Sequence, residues 1–107
     1  MSNCTTSVHH AGEQKTQIIA AVDSLAAQAS ALAMNIHANP ELSFEEVESA
    51  AALIAPLRAA GFEIEEQPGG LATAFRATYD SGKPGPVVAL LAEYDALKDL
   101  GHACGHN

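Results

Sequence analysis

The segment Pro86-Val87-Val88-Ala89-Leu90-Leu91-Ala92 decides the fold class. It carries no charge and is bounded upstream by the turn formers Asp80-Ser81-Gly82-Lys83-Pro84-Gly85 and downstream by Glu93. A near-continuous apolar run of this length reads as a strand buried on both faces. Two covered faces require a layered arrangement, so the run predicts an α/β sheet domain with helices packed on the sheet. Two further strands are expected before it. Phe62 and Ile64 alternate with glutamates as a half-exposed strand does, Pro68-Gly69-Gly70 turns the chain, and a second strand follows from about Leu71 to Tyr79.

Upstream of the strands the apolar period changes to that of helices. Ile18, Val22, Leu25, Ala29, Leu32 and Ile36 recur at spacings of four, three, four, three and four, which predicts an amphipathic helix from Lys15 to about Ala38. No charge occurs between Asp23 and Glu41, and alanines flank the stripe, so this helix is expected to lie against other structure on more than one side. Asn39-Pro40 stops it. Ser43 with Glu46 three residues on forms a capping-box pattern, and Leu42 is placed to staple onto Val47, so a second helix is expected from Ser43 to near Ala60. Glu45, Glu46 and Glu48 suit its positive end, Pro56 should loosen its last turn, and Gly61 ends it.

The composition limits what such a domain can bury and bind. With 107 residues there is room for one domain, read here as residues 15–107 behind a flexible tail of residues 1–14. The apolar content is 48%, but 22 of those residues are Ala, and Val, Ile, Leu and Phe together number 23, so the core is expected to be thin. A net charge of -8 repels a polyanion, which sets nucleic acid aside. No unbroken apolar run reaches the roughly 18 to 20 residues of a membrane span, and the N-terminus lacks the pattern of a secretory signal, so a cytoplasmic protein without a membrane partner is expected. Cys4 and Cys104 stand at opposite ends, unlike a disulfide framework, and Cys4, His9 and His10 have nothing nearby to fix them as ligands for an ion.

The chemistry gathers behind the buried strand, in Glu93-Tyr94-Asp95-Ala96-Leu97-Lys98 and Gly101-His102-Ala103-Cys104-Gly105-His106-Asn107. Functional groups in open α/β sheets collect at the carboxyl ends of strands, which brings Glu93 and Asp95 under suspicion; solvated strand-end carboxylates are the plainer alternative. The placement of both beside Cys104 rests on that strand being buried. Imidazole and thiolate are preferred ligands of zinc, and the small residues between them let side chains converge. Metal coordination therefore outweighs the alternative of a glycine-rich loop with exposed histidines.

The stretch Ile36-His37-Ala38-Asn39-Pro40-Glu41-Leu42-Ser43-Phe44-Glu45-Glu46 resembles the opening motif of the dinuclear metallo-amidohydrolases and peptidases, a family that includes aminoacylases, hippurate hydrolase and the indole-acetyl-amino-acid hydrolases. Gly101 to Asn107 is similar to that family's first metal motif, and Ala92-Glu93-Tyr94-Asp95-Ala96-Leu97 is most similar to the branch with aminobenzoyl-glutamate hydrolase and related dipeptidases. The resemblance implies an α/β/α metallopeptidase-type sheet domain, here incomplete, and two divalent ions, zinc or manganese, in the complete enzyme. It implies Cys104 and His106 as metal ligands, and Asp95 as the catalytic-site carboxylate that orients a metal-binding imidazole. Glu93 occupies the place of a histidine ligand elsewhere in the family, and His37 is expected to be structural.

Two residues depart from the family pattern, Lys98 where proline is frequent and Asn107 where aspartate is common. The general-base glutamate, its neighbouring glutamate ligand and two histidine ligands of the family have no counterpart in these 107 residues. The function implied is hydrolysis of amide bonds in N-acyl amino acids or short peptide-like substrates by the full-length relative, with this chain cut off after the first metal motif and inactive alone. A non-catalytic metal-binding remnant or an α/β interaction module that self-associates through an exposed strand edge is the alternative.

Overall fold

The computed structural model describes residues 5–107, with side chains from residue 11 onward. The expectations for Cys4, His9 and His10 fall outside what it describes. Two helices precede two strands: α1 (Thr5–Ala38), α2 (Val47–Ala59), β1 (Glu63–Glu66) and β2 (Phe75–Thr78), with a short 3-10 turn at Pro68–Gly70. The architecture is mixed α/β, as expected in outline. Residues up to Ala31 form one unit and Leu32–Asn107 a second.

Helix α1 ends where Asn39-Pro40 should end it, but it begins at Thr5, well ahead of Lys15. Ile18, Val22 and Leu25 are each more than half exposed, and only Ile36, near its end, is buried. A scarcity of charge describes a surface that could be covered, and the expectation that this helix lies against other structure stays an expectation. Ala11–Ala38 is also long and apolar enough to cross a membrane, by length and composition alone. The criterion of an unbroken run misses this because Asp23, Ser24 and Gln28 interrupt it, whereas alanines raise the average over a window. A core helix of a water-soluble protein can have the same length and composition.

Helix α2 starts three residues later than its capping pattern suggests. Its N-cap position is Glu46, which makes no side-chain cap. The helix is closed instead from outside by Glu41, whose carboxylate accepts the backbone N–H of Glu48 at 3.0 Å and of Ser49 at 2.7 Å, and the Ser49 hydroxyl at 2.6 Å. Pro56 lies inside the helix without ending it. At the other end Gly61, at φ 88, takes the left-handed conformation that lets its N–H reach Arg58 and that of Phe62 reach Leu57, closing the last carbonyls.

Partial burial pushes the Glu41 pKa up, but hydrogen bonds from the Ser49 hydroxyl and from the backbone of Glu48, Ser49 and Val47 outweigh it and hold the group below its ordinary value. A carboxyl depressed in the folded state adds stability that is fully present above its unfolded pKa, about 4.3, and is lost as pH falls through the lower folded value. Glu41→Gln is expected to lower stability at neutral pH by about 1 kcal/mol, the usual scale for a lost cap. Urea midpoints between about pH 6 and about pH 3 check this: the wild type should lose its advantage over the variant across that window. An advantage that persists at the acid end would remove the charged cap.

Strands β1 and β2 pair antiparallel in the register Glu63 with Thr78, Ile64 with Ala77, Glu65 with Arg76 and Glu66 with Phe75. The cross-strand Glu65–Arg76 ion pair lies on that register, and Arg58 of α2 reaches Glu66 at 2.8 Å. The core is thin, as the composition implies: among the described residues Ile36, Ala50, Ile54 and Ala96 are the buried apolar ones.

The third strand does not form. Among the described residues no strand pairs with residues 86–92, and Val87 and Leu91 are 98% and 99% exposed. The apolar run that suggests a doubly covered strand supplies the side chains for one, but a strand exists only with a hydrogen-bonded neighbour. The sheet is accordingly two-stranded, and the buried-strand argument for placing Glu93 and Asp95 beside Cys104 falls with it.

Candidate functional site

A different route brings the two sequence motifs together. The backbone N–H of Ala96 donates to the Glu41 carbonyl at 2.7 Å, forming a parallel bridge between Leu42 and Ala96. A second bridge, Leu97 with Gly101, folds the chain back so that residues 102–107 return toward the first motif. Gly101, at φ 64, turns beside Pro40, which lies 3.9 Å from where a β-carbon would stand. Asn107 donates its side-chain amide to the Ala33 carbonyl at 3.3 Å, a bond the aspartate of the family pattern could not donate.

Asp95 sits at the centre of this junction. Its Oδ2 accepts the Ser43 hydroxyl at 2.6 Å, and its Oδ1 lies 2.8 Å from His106 Nδ1. The other ring nitrogen of His106, Nε2, lies 3.0 Å from Glu93. The Ser43 hydroxyl, and after it His106, hold the Asp95 carboxyl below the ordinary carboxylate range. The imidazole is about one third exposed and Glu93 72% exposed, so the site opens to solvent on the Glu93 side.

The remaining residues of the second motif separate. Cys104 is an exposed free thiol. His102 is buried, with neither ring nitrogen hydrogen bonded, and its ring lies 6.3 Å from that of His37. Tyr94 turns to the opposite side, donating its hydroxyl to the Thr73 carbonyl at 2.6 Å and stacking near Phe75. Burial, and then the charge of Glu46, push the Tyr94 pKa up. A polar cleft lined by Asn35, Ile36, Asn39, Glu48 and Ser49 lies at the junction of α1 and α2, and none of the candidate ligands lines it.

Two of the three sequence-derived site residues, Asp95 and His106, are thus joined directly; Cys104 stands apart from that pair. Thiolate, imidazole and carboxylate are donor types that zinc and manganese accept. His106 fits this chemistry in one definite respect, because metal-bound imidazoles usually have their second nitrogen held by a carboxylate, as Asp95 holds Nδ1 here. Among the described residues no three such side chains converge on one point, so the donor set is partial.

Sequence comparison gives the setting for this junction. The chain is 40% identical over 93 residues to a subunit of the p-aminobenzoyl-glutamate hydrolase of Escherichia coli, covering 71% of this chain and 19% of that protein. It is 40% identical over 86 residues to thermostable carboxypeptidase 2 of Saccharolobus solfataricus, covering 67% and 22%, and 40% identical over 95 residues to Xaa-Arg dipeptidase of Mus musculus, covering 80% and 22%. The chain belongs to this peptidase and amidohydrolase family. It spans about a fifth of the length of these relatives. No family model matches it.

Within this family setting, the residues that sequence reasoning missed are Ser43 and Glu41. Ser43 carries the signature of a helix cap and Glu41 carries none, yet Glu41 closes the helix and Ser43 binds Asp95. A partner 52 residues away leaves no local periodicity or spacing to find.

Proposed function

We propose that these residues form the first part of a metal-dependent amidohydrolase site, acting in the complete protein on N-acyl amino acids or short peptide-like amides. The observation that carries the proposal is the Asp95–His106 pair, fastened to the opening motif through Ser43. Cys104 and His106 would hold a zinc or manganese ion, His106 through Nε2 in exchange for its contact with the exposed Glu93, while Asp95 keeps Nδ1. A bound divalent ion supplies an acidified water and polarises an amide carbonyl. Asp95 contributes by fixing the imidazole, and its own charge is already committed to Ser43 and His106. Glu93 is the most exposed carboxylate at the junction and lies against the imidazole rather than across an open cleft.

The same geometry supports the reading that residues 1–107 do not hydrolyse amides alone. Proton transfer by a placed side chain contributes about 10²- to 10⁴-fold, and proximity adds more only where a substrate is held. At the junction Asp95 is bonded to Ser43 and His106, and Glu93 lies 72% exposed against the imidazole, so neither carboxylate is set across a held substrate. The purified chain, loaded with zinc or manganese, is expected to show no turnover of hippurate, aminobenzoyl-glutamate or simple dipeptides. Turnover that survives removal of host hydrolases and disappears in Cys104→Ser or His106→Ala would contradict this. Coding DNA that continues in frame past Asn107 into Glu-Glu and histidine motifs, with amide hydrolysis by the longer product, would support the family function.

The exposed Val87, Leu90 and Leu91 favour a second, non-catalytic reading as an interaction module. Sedimentation distinguishes it: self-association abolished by Leu90→Asp, with no zinc bound at any concentration tested, would favour the module.

A further inference from the structure

Ser43 occupies the position of a helix cap, but α2 begins four residues later at Val47 and is closed by Glu41, so capping does not account for its hydroxyl. That hydroxyl donates to Asp95 Oδ2 at 2.6 Å, while the other carboxylate oxygen lies 2.8 Å from His106 Nδ1. We propose that Ser43 is a positioning residue for the candidate metal centre, fixing the plane of the Asp95 carboxylate so that Oδ1 holds His106 Nδ1, and Nε2, which lies 3.0 Å from the exposed Glu93, is the nitrogen an ion would take in place of that carboxylate.

The reasoning starts from the freedom of an aspartate. Its terminal torsion is broad, so a carboxylate anchored at one oxygen can swing the other away from its partner. Two donors approaching from different segments remove that freedom. The segments themselves are clamped: Ala96 is buried and its N–H is bonded to the Glu41 carbonyl, two residues before Ser43. Phe44, at φ 69, turns the chain directly after Ser43 and keeps it out of the helix. With its backbone held in this way, Ser43 keeps its hydroxyl within reach of a carboxylate that is about 30% exposed. Outer partners of metal-bound imidazoles orient the ring and contribute measurably to metal affinity.

For its effect on zinc the inference rests on His106 being a ligand; for its effect on the imidazole it does not. The test compares the wild-type chain with Ser43→Ala, Ser43→Thr and Asp95→Asn, each checked for retained helix by circular dichroism. Two quantities are read: the downfield proton resonance of a hydrogen-bonded His106 Nδ1–H, at fixed pH in the metal-free chain, and zinc affinity by chelator competition. Ser43→Ala is expected to broaden or remove the resonance and to weaken zinc by about tenfold, the lower end of what outer partners contribute. Ser43→Thr, which keeps the hydroxyl, should restore both, whereas a merely structural role would leave the resonance of a folded Ser43→Ala chain in place. A resonance and zinc affinity unchanged by Ser43→Ala would overturn the proposal, as would failure of Ser43→Thr to rescue a folded chain. A resonance that responds to Ser43 in a chain that binds no zinc would uphold the positioning role and overturn the metal reading.

Discussion

His106→Ala is expected to lower the zinc affinity of the chain by about 100-fold or more, at or beyond the top of the range that the loss of an outer partner costs. The imidazole is the one candidate ligand that the fold already orients, since Asp95 holds Nδ1 and leaves Nε2 toward the solvent-exposed Glu93. Cys104 is exposed, and on binding it would have to give up side-chain freedom with no neighbour to share the cost of ordering. Removing the oriented ligand leaves only the unordered one. Binding by the wild type is itself expected to be weak, because two ligands do not complete a four-coordinate shell. Competition against a chelator of known affinity measures both values. An affinity unchanged by the substitution would mean that any bound ion sits elsewhere on the chain.

Asp95→Asn and Asp95→Ala should separate charge from position. Asparagine keeps the shape and can still accept from His106 Nδ1 through its carbonyl oxygen, while Ser43 can rotate its hydroxyl to accept from the amide. Charge assistance is lost but the ring stays oriented, so zinc affinity is expected to fall about tenfold. Alanine removes both partners and releases the imidazole, and the loss should approach about 100-fold. The same competition assay, with circular dichroism to confirm that α1 and α2 persist, checks the order. Equal affinities for the two variants would mean that the carboxylate acts through its charge alone and does not orient the ring.

What can be read from the sequence follows the range of the interaction responsible. The end of α1 at Ala38 and the closure of α2 by Gly61 depend on neighbours within a turn, and Asn39-Pro40 and Gly61 announce them. Pairing of β1 with β2 is legible from alternation around Ile64, although the second strand is shorter than expected because residues 71–74 close a turn, with the Ala74 N–H bonded to the Leu71 carbonyl. The start of α2 is not legible, because Ser43 has a partner in Asp95, far along the chain, in place of the helix N-terminus that its local pattern suggests. Residues 86–92 show the same limit from the other side. Their composition suits a buried strand, but strand formation is a property of a pair, and no partner for them is present among the described residues.

The site is legible in its parts rather than in its assembly. His106 and Cys104 stand out by residue type and spacing, and Asp95 by its resemblance to a family motif. Their expected location rests on a strand end that does not exist in this structure; what brings Asp95 to His106 is the Leu42–Ala96 bridge and the Leu97–Gly101 turn. By residue type the buried His102 groups with the other ligands of its loop, and the fold instead places it beside His37. Residue type alone does not separate a buried imidazole from one held at the surface by two carboxylates.

Cobalt titration of the chain is the most direct test of whether Cys104 and His106 serve one metal centre, because a thiolate bound to cobalt(II) gives a sulfur charge-transfer absorption that imidazole and carboxylate ligands do not. The expected result is a weakly saturating absorption of that kind in the wild type, absent in Cys104→Ser and strongly reduced in His106→Ala. Cobalt bound without the sulfur absorption, or an absorption that either substitution leaves unchanged, would contradict a shared site.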